Sequence, residues 1–169
     1  MAVGQIVTWA GLYYVFPALL LRWEQELGWT KAELTAAITL AVFLSALSAP
    51  LAGRLIDRGL GPQWMTGCTL AGSAALFLCS LSHHIWQFYV LWAVIGISLS
   101  GALYEPCFSM VTRARGSRAK QGIILITLIA GFAGAISFPS AYSLAEAFGW
   151  RMALKVFAIV VAVVGAPII

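Results

Sequence analysis

Charged residues that could form a specific ionic contact cluster directly after an apolar stretch. Arg54, Asp57 and Arg58 occur in one short segment that begins at Gly53. A carboxylate beside guanidinium groups can hold a loop at a surface, or it can exchange partners between two conformations. The residues therefore allow two interpretations, an anchor to lipid headgroups and a switchable ion pair.

A second group of polar residues lies inside long apolar stretches. Glu105 is an acid in such a stretch, where burying its ionised form costs about 2.5–3.5 kcal/mol, so it should face protein or water. It is a candidate proton or cation site, or a structural partner of another polar group. Tyr104, Tyr13 and Tyr14 each offer an apolar ring and one hydroxyl that can orient a solute, although packing is the alternative role.

Two prolines lie within apolar stretches, and no arrangement typical of an enzyme or a metal site appears. Pro50 and Pro139 predict kinks or helix ends that can act as hinges, with packing as the alternative. The string GISLSG at 96–101 lacks the G-x-S-G spacing of an intramembrane serine protease, and no histidine follows His84. We therefore predict neither enzyme activity nor a bound metal or cofactor.

The composition indicates whether water or lipid surrounds this chain. Of 169 residues, 62% are hydrophobic and 9% are charged, with a mean hydropathy of +0.93. A soluble domain is nearer half apolar and a quarter charged, so lipid must cover the excess apolar surface. The net charge of +4 sits in short loops, which predicts charge at a membrane face rather than nucleic-acid binding.

Hydropathy divides the chain into six predicted spans, because a helix needs about 20 apolar residues to cross a bilayer. The spans are 3–21, 34–53, 64–81, 85–111, 122–145 and 152–169. Pro106 predicts a kink near the end of the fourth span. We thus predict an all-α membrane protein in which residues 1–169 form one transmembrane bundle.

Lysine and arginine predict the orientation of the bundle in the plasma (inner) membrane. The loops after the second and fourth spans carry six basic residues: Arg54, Arg58, Arg113, Arg115, Arg118 and Lys120. The opposite side carries four: Arg22, Lys31, Arg151 and Lys155. Because basic loops stay inside, we predict a cytoplasmic N-terminus.

The second and fifth spans resemble each other. Residues 31–57 align without a gap on residues 120–146, so that Pro50 matches Pro139 and Asp57 matches Glu146. The two spans run in opposite directions, since three crossings separate them. Three plus three helices of inverted topology is a known construction of secondary transporters, and we predict it here.

Two motifs carry a family resemblance. The string GRLIDRGLGP at 53–62 resembles the loop G-x-L-a-D-r-x-G-r-k between the second and third helices of the major facilitator superfamily. One residue is inserted before Gly61, and Gln63 and Trp64 stand where the family has basic residues. The basic segment 113–120 and the string FGWR at 148–151 look like the monocarboxylate and oxalate/formate branch.

This resemblance implies a fold and roles for the residues above. Members have twelve helices in two bundles, so the chain looks like an N-terminal half whose C-terminal bundle is missing. The family's loop aspartate belongs to a cytoplasmic latch with an arginine at the end of the fourth helix, which implies Asp57 and Arg113 here. The first and fourth helices of the family face the central cavity, which makes Tyr13, Tyr14, Tyr104 and Glu105 its candidate lining.

The expected partners are the lipid bilayer, a small solute, protons as a candidate coupling ion, and the missing bundle. The resemblance implies a secondary transporter of a small organic anion such as a monocarboxylate, working by alternating access. The alternative is a six-helix scaffold or self-associating half transporter, because the chain stops at Ile169 inside an apolar run.

Overall fold

The computed structural model describes residues 1–116 and 119–168, and the side chains of Glu105, Ala114, Arg115 and Ile168 lie outside this description. Within these ranges the ordered elements are helices, without strands. They are α1 (Ala2–Leu27), α2 (Lys31–Asp57), α3 (Gly61–Cys79), α4 (Ile85–Ala102), α5 (Tyr104–Arg115), α6 (Ala119–Ala130), α7 (Ala133–Phe148) and α8 (Trp150–Val160), which continues to Ile168. The all-α membrane fold predicted from hydropathy is confirmed.

Four helical rods are long and apolar enough to cross a membrane. They are Ala2–Leu27, Lys31–Asp57, Ile85–Arg113 and Ala119–Phe148, found among the described residues. Ala2–Leu27 and Ile85–Arg113 are about half buried inside the described chain, whereas Lys31–Asp57 and Ala119–Phe148 leave most of their surface uncovered. Crossings by α3 and α8 remain predictions.

The connection between α1 and α2 is much shorter than the predicted loop at 22–33. Helix α1 continues to Leu27, and Gly28 ends it with a left-handed φ of 69°. Thr30 then begins α2 with a capping box, since its Oγ1 accepts from the Glu33 N–H at 3.2 Å while Glu33 Oε2 accepts from the Thr30 N–H at 2.8 Å. Hydropathy missed these turns because charged residues at helix ends are polar yet helical.

The fourth predicted span breaks before its proline rather than at it. Leu103 separates α4 from α5 with φ −94° and ψ −156°, an extended conformation. Pro106 lies in the first turn of α5, where a missing N–H is tolerated. The fifth predicted span is also interrupted, at Gly131 and Phe132, whereas Pro139 lies inside α7.

Small residues and aromatic rings pack the helices together. A Cβ added at Gly96 of α4 would lie 2.3 Å from the Ala41 carbonyl oxygen of α2, so these backbones are in direct contact. Towards the end of α1 that precedes Gly28, buried rings fill the space between α1 and α4. They are Phe16, Trp23, Phe88 and Trp92.

Burial follows the internal repeat. Ala41 and its match Ala130 are both buried, as are Ala52 and its match Ala141. The matched phenylalanines Phe43 and Phe132 are exposed to similar extents, 62% and 65%. The two segments therefore share which face they bury as well as their sequence, which is the expectation for two copies of one structural unit.

Candidate functional site: an ion pair at one end of the bundle and an aromatic surface within it

An ion pair joins the end of α2 to the end of α5. Arg113 donates from Nη2 to Asp57 Oδ1 at 2.6 Å and from Nη1 to the Ile56 carbonyl oxygen at 2.9 Å. The chain turns sharply after Asp57, helped by Gly59 with φ 83°, so that this carboxylate stands at the helix end facing α5. A guanidinium that bonds both a carboxylate and a carbonyl has a defined orientation.

The rest of the predicted cluster takes no part in this contact. Arg54 and Arg58 are exposed, and neither lies within ion-pair distance of Asp57 among the described side chains. A Cβ added at Gly53 would meet no atom within 4 Å, so the glycine that begins this segment makes no close contact with another helix of the described chain. A tighter contact lies at Gly61, where an added Cβ would lie 3.3 Å from the Met110 side chain of α5.

The three candidate tyrosines converge on one ring that the sequence did not single out. The Trp9 ring lies 5.3 Å from Tyr13, 6.0 Å from Tyr14 and 4.8 Å from Tyr104, measured between ring centroids. Phe108 stacks on Tyr104 at 5.1 Å. We call these five residues the aromatic surface; it joins α1 to α5, although their residues are about a hundred positions apart.

Local helix geometry brings the adjacent tyrosines to the same side. Ala10–Tyr14 is a π-helical segment inside α1, and such segments are often found at functional sites. Tyr13 and Tyr14 are both partly exposed, with their rings 5.4 Å apart. Tyr13 also borders a groove of about 400 Å³ against α2. Tyr13, Tyr14 and Tyr104 remain candidate solute contacts.

The remaining sequence candidates stay predictions. Glu105 follows Tyr104 in the first turn of α5, but its side chain lies outside the described residues. Pro50 and Pro139 are exposed inside α2 and α7, at matched positions of the repeat.

A second ion pair, which sequence reasoning missed, lies at the opposite end of the bundle. Arg22 of α1 pairs with Glu146 of α7, and the Arg22 guanidinium lies 5.9 Å from the Tyr142 ring centroid. Glu24 and Lys31 form a further pair nearby at 3.5 Å. The available signal was the repeat itself, which matches Glu146 to Asp57.

The two ion pairs are related in the way an inverted repeat requires. Asp57 lies just after the second predicted span and binds Arg113 just after the fourth predicted span. Glu146 lies just after the fifth predicted span and binds Arg22 just after the first predicted span. If the first three predicted spans are exchanged with the last three, the Asp57–Arg113 pair takes the place of the Glu146–Arg22 pair. Each end of the bundle therefore carries an equivalent contact.

We expect the Arg22 pair to contribute modestly to stability, because both partners are partly exposed. Arg22→Glu should lower the midpoint of thermal unfolding in detergent by roughly 2–4 °C, the shift that about 1 kcal/mol causes in a chain of this size. Adding Glu146→Arg should restore the midpoint. A double variant no more stable than Arg22→Glu would contradict the pairing.

Comparisons with known proteins agree with this architecture. A family model described as Major Facilitator Superfamily matches residues 1–169. Multidrug resistance protein MdtG of Escherichia coli strain K12 / DH10B is 30% identical over 155 residues, and MdtG of Escherichia coli O1:K1 / APEC has the same identity. The match covers 88% of this chain and 37% of each relative, so the chain spans little more than a third of their length.

No solved structure matches the chain significantly. The family model spans every residue of the chain, including both ion pairs and the aromatic surface. The chain therefore belongs to the major facilitator superfamily.

Proposed function

We propose that this chain is one bundle of a secondary transporter that moves a small solute by alternating access. Its family and the MdtG relatives indicate an integral membrane transporter rather than an enzyme. The observation that carries the mechanism is the pair of equivalent ion contacts at opposite ends of the bundle. Contacts that break and re-form at a helix end are a physical means of biasing two access states.

Within this proposal, the Asp57–Arg113 pair is the cytoplasmic latch. The basic residues around α5 and the loop before α3 support that orientation through the positive-inside rule.

A second bundle would cover the α2 and α6–α7 rods, whose surfaces are the least buried of the four long rods. Protons remain a candidate coupling ion, with Glu105 as their candidate site.

The solute has two candidate classes. A small organic anion follows from the motif resemblance, but residues 2–21 and 85–112 contain no Lys or Arg to neutralise it. Its counter-charge would have to come from outside these stretches. A lipophilic aromatic compound, cations included, is favoured by the aromatic surface, because aromatic faces attract both rings and cations. The multidrug-resistance name of the MdtG relatives is compatible with this second class.

Flux measurements in proteoliposomes separate the two classes. The protein expressed from its complete coding sequence would be tested with labelled monocarboxylates and with ethidium, each with and without a pH gradient. Saturable monocarboxylate flux alone would support the organic anion, and saturable ethidium flux alone the lipophilic class. Flux of neither class above that of protein-free vesicles would overturn both solute assignments.

We expect Trp9→Ala to raise the KM of the transported solute about tenfold. The substitution removes the ring that contacts all three tyrosines, and each aromatic pair contributes about 0.5–1.5 kcal/mol beyond its area. Trp86→Ala is the matched control, since Trp86 is 63% exposed at the start of α4. Equal KM values in the two variants would remove Trp9 from the solute site.

A further inference from the structure

The interruption between α4 and α5 leaves carbonyls of the last turn of α4 without their usual helical donors, and the Ala102 carbonyl is one of them. In a continuous helix, the N–H of residue 106 would donate to the carbonyl of residue 102. Residue 106 is proline and has no N–H, so the Ala102 carbonyl has no such partner. Ala102 is fully buried, where an unpaired carbonyl is costly and no lipid group can satisfy it.

Gln5 supplies the missing donor from another helix. Its Nε2 donates to the Ala102 carbonyl oxygen at 3.0 Å across a separation of 97 residues. The Gln5 side chain is itself fully buried, and its Oε1 has no hydrogen-bond partner among the described atoms. The bond to Ala102 is thus the one side-chain hydrogen bond of Gln5 in the described structure.

The position of this bond links the interruption to the aromatic surface. Gln5 lies one helical turn before Trp9 on α1, so the two side chains share a face. Tyr104 follows the interruption at Leu103, and its ring lies 4.8 Å from the Trp9 ring. A hydrogen bond from α1 to the last residue of α4 therefore lies beside Leu103, where the helix is interrupted immediately before Tyr104.

We propose that Gln5 is a positioning residue: its hydrogen bond to Ala102 holds the Leu103 interruption in place and thereby sets Tyr104 against Trp9. Gln5 acts on the solute through Tyr104 and makes no solute contact itself. The role in solute binding rests on the proposed function, whereas the hydrogen bond and its effect on α5 do not.

The test uses labelling of the native cysteines by a maleimide, read separately for each residue by mass spectrometry. Cys107 is buried one turn into α5 and reports movement of this helix, whereas Cys79 is buried at the far end of α3 and reports general loosening. Gln5→Leu should raise the Cys107 labelling rate about tenfold, consistent with the cost of an unpaired buried carbonyl. Cys79 should change by less than twofold, and Gln63→Leu on the exposed start of α3 should change neither.

Pro106→Ala provides the decisive second substitution, because it restores an N–H that donates to the Ala102 carbonyl once residue 103 adopts helical dihedral angles and α4 continues into α5. In the Pro106→Ala background, Gln5→Leu should alter Cys107 labelling by less than twofold, a non-additive result that a simple packing role does not produce. Gln5→Asn, which keeps the amide but shortens its reach, should raise Cys107 labelling and serves if Gln5→Leu fails to fold.

Several results would overturn the proposal. Equal increases at Cys107 and Cys79 would mean general destabilisation, and an unchanged effect of Gln5→Leu beside Pro106→Ala would mean that the donor is irrelevant. The solute KM should rise about tenfold in Gln5→Leu with kcat altered less; a Cys107 response with an unaltered KM would overturn the positioning role. Absence of transport in the unsubstituted protein would instead contradict the proposed function, and the labelling result would stand separately.

Discussion

Asp57→Arg combined with Arg113→Asp is expected to restore most of the transport that either single reversal removes. Each single variant places like charges where a 2.6 Å hydrogen-bonded ion pair stood, so we expect at least a tenfold loss of kcat. The two side chains are 77% and 51% exposed, and an exposed pair contributes only about 1 kcal/mol to stability. Lost transport in a folded protein is therefore the expected signature of a latch.

Arg54→Asp is the matched control for this charge exchange. Arg54 lies one turn before Asp57 on the same helix and is exposed, but it does not pair with Asp57 in the described structure. Transport in proteoliposomes and thermal unfolding in detergent would be measured for all variants. Equal losses from Arg54→Asp and Arg113→Asp would indicate that net surface charge matters and the specific pair does not. Failure of the double variant to recover would count against the latch as well.

Gly96→Ala is expected to prevent formation of a stable bundle. The added Cβ would lie 2.3 Å from the carbonyl oxygen and 2.5 Å from the Cα of Ala41, and both are backbone atoms of α2. A side chain could rotate away, but backbone contact can be relieved only by separating two helices. Overpacking of this kind costs about 3 kcal/mol. We expect a strongly reduced yield of monodisperse protein and a lower unfolding midpoint.

Gly67→Ala is the control for the glycine substitution. Gly67 lies inside α3, and a Cβ added there would meet no atom within 4 Å. Replacing a helical glycine by alanine in open space favours the helix by about 0.5–1 kcal/mol, so this variant should be as stable as the parent or slightly more stable. A normal bundle from Gly96→Ala would contradict the close contact between α2 and α4.

Hydropathy located the helical stretches of this chain but missed some of their ends and interruptions. Hydropathy predicted the helical stretches because the cost of exposing polar backbone to lipid acts on every residue of a span. The same signal missed the turns 22–27 of α1, since residues at a helix end reach polar surroundings and need not be apolar. It also could not locate the interruption at Leu103, although Pro106 pointed to the right region.

The sequence predicted some contacts of the candidate site and missed others. Arg113 was identified as the partner of Asp57 through the motif, and the structure contains that pair. The sequence did not identify Trp9 as the ring that contacts all three tyrosines. It also did not identify the Arg22–Glu146 pair, although the repeat matched Glu146 to Asp57. Contacts between helices depend on how each rod is rotated, and hydropathy contains little information about rotation when most faces of a helix are apolar.

The sequence by itself determined that lipid surrounds the chain, that its fold is helical, that its two halves resemble each other, and at which helix ends the charges collect. These properties follow from local composition and from matches along the chain, because a bilayer imposes its length and polarity on each segment separately. Only the tertiary structure decided that Gly96 rather than Gly53 makes a backbone contact, that Trp9 joins three tyrosines, and that Gln5 satisfies Ala102. Those pairings join residues far apart in the chain, and they depend on atomic distances that arise only when the rods pack against one another.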